Sequence, residues 1–177
     1  DINGNKLTDI SGIKLFKNVE ILYLQNNQIT DISVLKNLNS LKNLNISWNQ
    51  IYDISILKKL INLKRLNLSS NKITDISVLK NLENLETLNI TNNNISVLNL
   101  KKIINLQILH LSNTEIKDIS TVKYLKNLEI LSIMDLELES DQIQYINSLK
   151  NLKELFCRNG LKNIADINKL RPIFIYK

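Results

Sequence analysis

The chain has 177 residues, a length typical of one domain. Its formal net charge is +6 at pH 7, but the lysines are scattered instead of being gathered on one face with aromatic residues, which argues against a nucleic-acid partner. The single cysteine excludes an internal disulfide framework, and no run of about 18 or more apolar residues is present to insert into a membrane.

One phrase, Leu-x-x-Leu-x-Leu-x-x-Asn-x-Ile-x-Asp-Ile-x-x-Leu, recurs down almost the whole chain. It begins at Leu41 and Leu63 and, in variant form, at Leu106. Such a repeat predicts a solenoid in which each unit buries its leucines against the next. The chain opens in mid-phrase, so we expect it to be a piece of a longer protein. We assign a single domain over 1–177 with about eight units: 1–18 (partial), 19–40, 41–62, 63–84, 85–105, 106–127, 128–151 and 152–177.

Each unit contains the elements of one solenoid turn. The Leu-x-Leu core alternates with a period of two, which predicts a short parallel strand with the leucines inward and the other side chains on the concave face. The asparagine after the strand (Asn27, Asn49, Asn71, Asn93) is expected to be buried and to satisfy backbone groups of the turn. The Asp-Ile-Ser that follows (at Asp31, Asp53, Asp75, Asp118) suits the start of a 3₁₀ turn on the convex face.

The phrase loses its regularity toward the C-terminus. The unit at 85–105 is one residue short and has Val97 where Asp is expected. Thr114, Leu136 and Gly160 take the asparagine position in the last three units. Helical spacing after Ser140 predicts an α-helix near 140–149. We expect the solenoid to close at its C-terminal end, where one of three apolar residues would cover the last rung: Ile173, Phe174 or Ile175.

The 22-residue unit with Asp-Ile after the Asn resembles the leucine-rich repeats of bacterial internalins, and equally those of the regulatory subunits of type-1 protein phosphatases. The resemblance covers essentially the whole chain. It implies an α/β leucine-rich-repeat solenoid, with a curved parallel sheet on the concave face and short 3₁₀ or α-helical segments on the convex face. It also implies protein binding through the concave face without catalysis, at the cell surface for internalins and inside the cell for the phosphatase regulators.

The concave face supplies candidate binding residues. In the C-terminal units, apolar side chains stand where the pattern directs them to solvent, and an exposed apolar patch commonly marks an interaction site. Two aromatic residues nearer the N-terminus form a second anchor, and one histidine stands in the central column. We predict that the partner contacts Tyr23, Trp48, Ile108, His110, Ile130, Met134 and Phe156.

Two alternatives remain open for this set. The apolar residues of the C-terminal units could be covered by the protein itself near the end of the solenoid. Trp48 could lie flat over the rim of the sheet, because tryptophan combines an apolar body with a polar tip.

The sequence offers few residues suited to catalysis or metal binding. His110 and Ser132 fall on adjacent strands, but the pattern places neither an orienting acid nor an oxyanion hole beside them, so we expect no enzymatic activity. Cys157 occupies an inward leucine position and is predicted to be buried. One histidine and one cysteine cannot build a zinc site, and the acidic run from Asp135 to Asp141 lacks a calcium-loop glycine, so no metal or cofactor is expected.

The leading hypothesis is therefore a protein-binding module of a bacterial surface protein. One alternative is an intracellular scaffold or phosphatase regulator. Another is a recognition domain of a larger protein that carries an enzyme domain outside these residues. A cell-surface or secreted location is favoured over a cytoplasmic one, and the sequence does not specify the partner protein.

Overall fold

The computed structural model describes residues 1–170 and 174–176. Within these ranges eight short strands form one parallel sheet in which every strand pairs with its neighbours in sequence, from β1 to β8. The strands are β1 Ile21–Tyr23, β2 Asn43–Asn45, β3 Arg65–Asn67, β4 Thr87–Asn89, β5 Ile108–His110, β6 Ile130–Ser132, β7 Glu154–Phe156 and β8 Phe174–Tyr176. This is the expected leucine-rich-repeat solenoid.

Helical segments alternate with the strands along the chain and form a second layer on the opposite side of the solenoid. It consists of the 3₁₀ helices Ser11–Leu15, Ser33–Asn37, Ser55–Lys59, Ser77–Asn81, Ser120–Tyr124, Ser140–Gln142 and Ile164–Lys169, with one α-helix, α1, at Ile143–Asn147. A helical turn takes more room per unit than a strand, which needs only about 4.8 Å. The helical layer therefore forms the convex side, and the strands form the concave face.

The core is a column of leucine and isoleucine between these two layers. Register pairing places Leu44 beside Leu66 and Leu66 beside Leu88, and all three are almost completely buried. Each fully buried leucine contributes roughly 2 kcal/mol relative to an exposed one. Cys157 takes the same inward position in its unit and is 4% exposed, which confirms its prediction as a core residue.

Four buried asparagines, Asn27, Asn49, Asn71 and Asn93, form a ladder that connects their units to the preceding ones. The Oδ1 atom of Asn71 accepts a hydrogen bond from the backbone N–H of Ile51 at 3.0 Å, and its Nδ2 donates to the backbone carbonyls of Leu68 and Ile46, each at 3.0 Å. The same arrangement recurs at the equivalent asparagines, Asn27, Asn49 and Asn93. The predicted role of this position is confirmed.

In most units an aspartate leads into the following 3₁₀ helix: Asp9, Asp31, Asp53, Asp75 and Asp118. Asp75 Oδ1 accepts from the backbone N–H of Ser77 at 2.7 Å, and Oδ2 accepts from its hydroxyl at 3.0 Å. The serine is therefore the donor in this turn and the aspartate is the acceptor. The equivalent bonds to Ser55 hold the pKa of the Asp53 carboxyl below its usual value. Hydrogen bonds of this kind stabilise the charged carboxylate.

A second row of asparagines was not foreseen. Each precedes the first leucine of a unit and donates through Nδ2 to a backbone carbonyl of the preceding unit at 2.7–3.1 Å: Asn62, Asn84, Asn105, Asn127 and Asn151. Unlike the buried ladder, these side chains are exposed, and exposure removes the desolvation argument by which the buried asparagines could be predicted.

The short unit at 85–105 departs from the others, as its sequence indicates. No 3₁₀ helix occurs between β4 and β5 in this fully described stretch, and Val97 is 70% exposed at the position where other units have an aspartate. The convex layer is therefore interrupted at this unit. The α-helix predicted near 140–149 is confirmed as α1, preceded by the 3₁₀ turn Ser140–Gln142.

At the C-terminal end, one of the three residues expected to cover the last rung does so. Ile175 is half-buried and packs against the core, as expected for a residue that covers the last rung. Phe174 does not take this role, since it points outward from β8 and is 74% exposed. Ile173 lies outside the described residues.

Candidate functional site: the concave face

The outward side chains of the strands form aligned columns, because the sheet is parallel and in register. The central column runs through Tyr23, Asn45, Asn67, Asn89, His110, Ser132, Phe156 and Tyr176. Beside it run Ile21, Asn43, Arg65, Thr87, Ile108, Ile130, Glu154 and Phe174. The concave face is therefore polar in its middle and apolar toward both ends.

A groove of about 250 Å³ lies over the middle strands. Tyr23 borders it at one end and His110 at the other, and both belong to the predicted binding set. Between them its polar lining is Asn43, Asn45, Arg65, Asn67, Thr87 and Asn89. These six residues were predicted to be outward but were not proposed as binding residues, because amides and hydroxyls give no apolar signal in the sequence.

Trp48 occupies a different part of the surface. It follows β2 in the left-handed backbone region (φ +54°) and is 64% exposed. It borders a shallow depression of about 600 Å³ at the rim of the sheet, together with Ser70 and a group of asparagines that includes Asn92 and Asn94. Tyr23 and Trp48 therefore line separate depressions.

The apolar residues of the C-terminal units are brought together but are only half exposed. Ile108 and Ile130 are neighbours across β5 and β6. The Phe156 ring stacks on the Tyr176 ring with centroids 4.4 Å apart and planes at 8°. The last strand of the chain thus covers one face of Phe156, and partial cover by the protein itself coexists with an accessible patch.

Met134 lies in the adjoining column and is also half-buried. Its backbone N–H donates to the hydroxyl of Ser112 at 3.1 Å, and that hydroxyl lies 2.7 Å from the hydroxyl of Ser132. Ser132 is buried, and its hydroxyl is hydrogen-bonded to that of Ser112. This pairing places Ser132 in a structural contact, although it is the register neighbour of His110.

Sequence reasoning missed the contribution of β8. Phe174 and Tyr176 are exposed and extend the two columns by one strand. The alternation of Phe174, Ile175 and Tyr176 was a usable signal, since an outward, inward, outward pattern predicts a strand. The absence of a leucine phrase concealed it.

Burial lowers the pKa of His110 below its ordinary value, so the imidazole is neutral at neutral pH. The unfolded chain then binds a proton more readily than the folded chain just below the ordinary histidine pKa of about 6.5. We expect the free energy of unfolding to be highest above that pH and to fall as the pH drops toward the lowered pKa. His110→Gln would remove this part of the pH dependence, because the chain has no other histidine. Urea unfolding between about pH 5 and pH 7.5 measures this free energy. If it changed equally with pH in the wild type and in His110→Gln, the assignment to His110 would be contradicted.

The acidic run after β6 is used in contacts within the chain. Asp135 lies 3.8 Å from Arg158 and accepts from the amide of Asn159, and Glu139 pairs with Lys162. Among the described residues no three His, Cys, Asp or Glu side chains converge as metal ligands. Residues 1–170 and 174–176 also hold no helix with the length and apolarity needed to cross a bilayer.

Comparison with protein families matches the repeats directly. The family model described as Leucine Rich repeats (2 copies) matches residues 1–37, 17–59, 39–81 and 61–102, which together exceed half of the chain. No curated protein matches the chain significantly.

Several solved structures match the chain over nearly its whole length. An internalin of Listeria monocytogenes, inlF, superposes with a TM-score of 0.87 at 36% sequence identity, over 98% of this chain and 52% of that protein. Internalin C2 of the same species superposes with a TM-score of 0.90 at 31% identity, over 99% and 77%. A leucine-rich-repeat protein of Leptospira interrogans gives 0.80 at 26% identity, over 99% and 53%. The chain thus spans about half the length of the first and third of these proteins.

Proposed function

The chain belongs to the leucine-rich-repeat proteins of internalin type, and from this premise we propose that it is a non-enzymatic module that binds a protein partner through its concave face. The repeats supply an extended rigid surface, which is the usual basis of recognition in solenoids. The proposal concerns the region described, and the activity of any larger protein that contains it is a further proposal.

The observation that carries the proposal is a change of chemistry along one continuous sheet. Polar side chains line the groove over the middle strands, and apolar side chains with partial exposure follow directly at Ile108 and Ile130. Protein interfaces commonly combine an apolar centre with a polar rim. This face offers both within a few rungs of the sheet.

Within this proposal the binding residues remain those indicated by the sequence: Tyr23, Trp48, Ile108, His110, Ile130, Met134 and Phe156. The half-buried aliphatic and aromatic members are suited to act as anchors, because rigid apolar groups lose little entropy on binding. Each true anchor would cost about 2 kcal/mol or more of binding free energy when truncated to alanine.

We also propose that the parent protein works at the cell surface or in secreted form. The likeness to internalins supports this location. The complete gene tests it: a secretion signal with a wall or membrane anchor would agree, and a complete gene without either would favour an intracellular regulator. An appended catalytic domain would instead make the chain the recognition part of an enzyme.

Site-specific photocrosslinking tests the binding face. A photoreactive phenylalanine analogue is placed at Tyr23 or Ile130 on the concave face and, as a matched control, at Lys58 or Lys80 on the convex side. Each protein is illuminated with extracts of the producing cell and with intact cultured host cells, and adducts are identified by mass spectrometry. We expect one protein to be captured from the concave positions and not from the convex ones.

Alanine variants complete this test. Tyr23→Ala and Ile130→Ala, made in proteins that carry the crosslinker at another concave position, are expected to reduce capture of the same partner. Capture from the convex positions alone, or capture that is indifferent to both alanine variants, would contradict the proposed face.

A further inference from the structure

Hydrogen bonds within the chain fix the amide orientation of the central asparagines. Asn45 Oδ1 accepts from the backbone N–H of Ser47 at 3.1 Å and from its hydroxyl at 2.7 Å. Asn67 and Asn89 each accept from the backbone N–H two residues further on, at 3.0 Å. A flipped amide would place two donors against each other. The Nδ2 groups are therefore the ones left to face the groove.

These three Nδ2 groups form a row of hydrogen-bond donors. None of them donates to another residue in the described part of the chain, and register pairing places them side by side on β2, β3 and β4. Adjacent strands are about 4.8 Å apart, so the row spans about 10 Å, the length of about three residues of extended peptide. The groove thus offers a row of donors that the described residues leave free, whereas the Oδ1 atoms of the same amides already accept hydrogen bonds within the chain.

Arg65 adds a positive charge beside this row. It is exposed between Asn43 and Thr87 in the neighbouring column, and it makes no ion pair with any residue in 1–170 or 174–176. The acids that precede the nearby strands are already engaged, since Glu20 pairs with Lys42 at 2.7 Å and Glu86 pairs with Lys64 at 2.8 Å. The guanidinium is therefore available to a ligand.

We infer that the groove over β2–β4 binds an acidic segment of the partner protein, with a carboxylate on Arg65 and further acceptor oxygens on the amides of Asn67 and Asn89. An ionised carboxylate is an acceptor only, so it complements the row of Nδ2 donors beside the Arg65 guanidinium. Arginine can hold a carboxylate through two parallel hydrogen bonds. The inference rests on the proposed function and names the chemistry that the concave face recognises.

Two other ligand classes fit the groove less well. A neutral sugar brings no negative charge to the guanidinium of Arg65, which is without an ion pair among the described residues. The Oδ1 atoms of Asn45, Asn67 and Asn89 already accept hydrogen bonds within the chain. A single-stranded nucleic acid needs a track of cations with aromatic platforms, and here one arginine and one tyrosine line the groove. An acidic peptide needs only the donors that are present.

NMR titration tests the inference on the chain itself. The side-chain amide signals of Asn45, Asn67 and Asn89 are followed in ¹⁵N-labelled protein during addition of a short peptide with alternating Gly and Glu. The matched probe is the same peptide with Gln in place of Glu, and the competing ligand classes are a thymidine oligonucleotide and a neutral oligosaccharide. We expect the Glu peptide alone to shift these three signals.

Variants give the second readout. Arg65→Gln is expected to weaken binding of the Glu peptide about tenfold, because a hydrogen bond to a charged group is lost. Lys58→Gln removes the same charge from the convex side and is expected to leave the affinity unchanged. Asn67→Asp keeps the Oδ1 acceptor for the backbone but places a carboxylate in the groove, so it also weakens binding. Matched melting temperatures verify that these variants are folded.

Three results would overturn the inference. They are equal shifts with the Gln peptide, unchanged affinity in Arg65→Gln, and binding of the oligonucleotide or oligosaccharide to the groove without binding of the Glu peptide. These failures are separate from failure of the proposed function. Crosslinking to a partner from the concave face would keep that function even if the peptide did not bind, whereas crosslinking from the convex side alone would refute it.

Discussion

Asn71→Ala is expected to destabilise the folded chain by about 3 kcal/mol, since it removes several buried hydrogen bonds and leaves a donor unsatisfied. The carbonyls that Asn71 contacts keep other partners, because Asn49 also donates to Ile46 and Asn93 also donates to Leu68. The N–H of Ile51 has no such substitute, and Ile51 is fully buried. The lost free energy is therefore concentrated at that amide.

Urea unfolding at constant pH measures the total effect, and hydrogen exchange at the Ile51 amide measures its local part. Asn94→Ala is the control, because the Asn94 side chain is exposed and its one hydrogen bond within residues 1–170 and 174–176 is a 3.4 Å contact with Glu115. We expect the control to stay within about 0.5 kcal/mol of the wild type. If both variants unfolded at the same urea concentration, the ladder would contribute little to stability.

Gly160→Ala is expected to cost about 3 kcal/mol, the upper range for a methyl group forced into packed surroundings. A Cβ atom at Gly160 would lie 2.5 Å from the backbone oxygen of Ile133 and 3.1 Å from that of Cys157. Both obstacles are main chain, so a rotamer change cannot relieve them. The backbone between β6 and β7 would have to move instead.

Gly12→Ala is the matched control for this substitution. Gly12 is part of the 3₁₀ helix Ser11–Leu15, and outside its own helix backbone and chain neighbours no described atom lies within 4 Å of the position that a Cβ would take. Alanine there restricts the unfolded chain and is expected to be neutral or to stabilise by about 0.5 kcal/mol. Thermal unfolding distinguishes the two variants. A melting temperature for Gly160→Ala equal to that of Gly12→Ala would show that the close approach is easily relaxed.

Periodicity made the fold predictable from the sequence. The inward leucines, the ladder position of Asn71 and the helix start at Asp75 each follow from a local rule that repeats, so an error in one unit is corrected by the next. The last strand was harder to predict because Phe174 and Tyr176 follow no earlier phrase. The second row of asparagines was missed because exposed amide contacts carry no burial signal.

The site could be predicted only in part. The columns of the concave face followed from the strand register, and His110 lies in the central column as predicted. The exposed fraction of Phe156 could not be predicted from the sequence, because its ring stacks on Tyr176 and Tyr176 belongs to a strand that the repeat pattern does not contain. The donor character of Asn45 and Asn67 also required the structure, since it depends on which amide atom faces inward.

The short unit at 85–105 has a consequence for cooperativity. The convex helices do not continue across it. Among the described residues, the Thr114 side chain bonds only to the carbonyl of Leu111 within its own unit, where a ladder asparagine would reach back. Backbone pairing and the bond from Thr121 to the carbonyl of Leu98 still cross this boundary. In a linear array, unfolding divides where neighbouring units are least coupled. We expect the chain to behave as two blocks that melt semi-independently, with the boundary near residue 105.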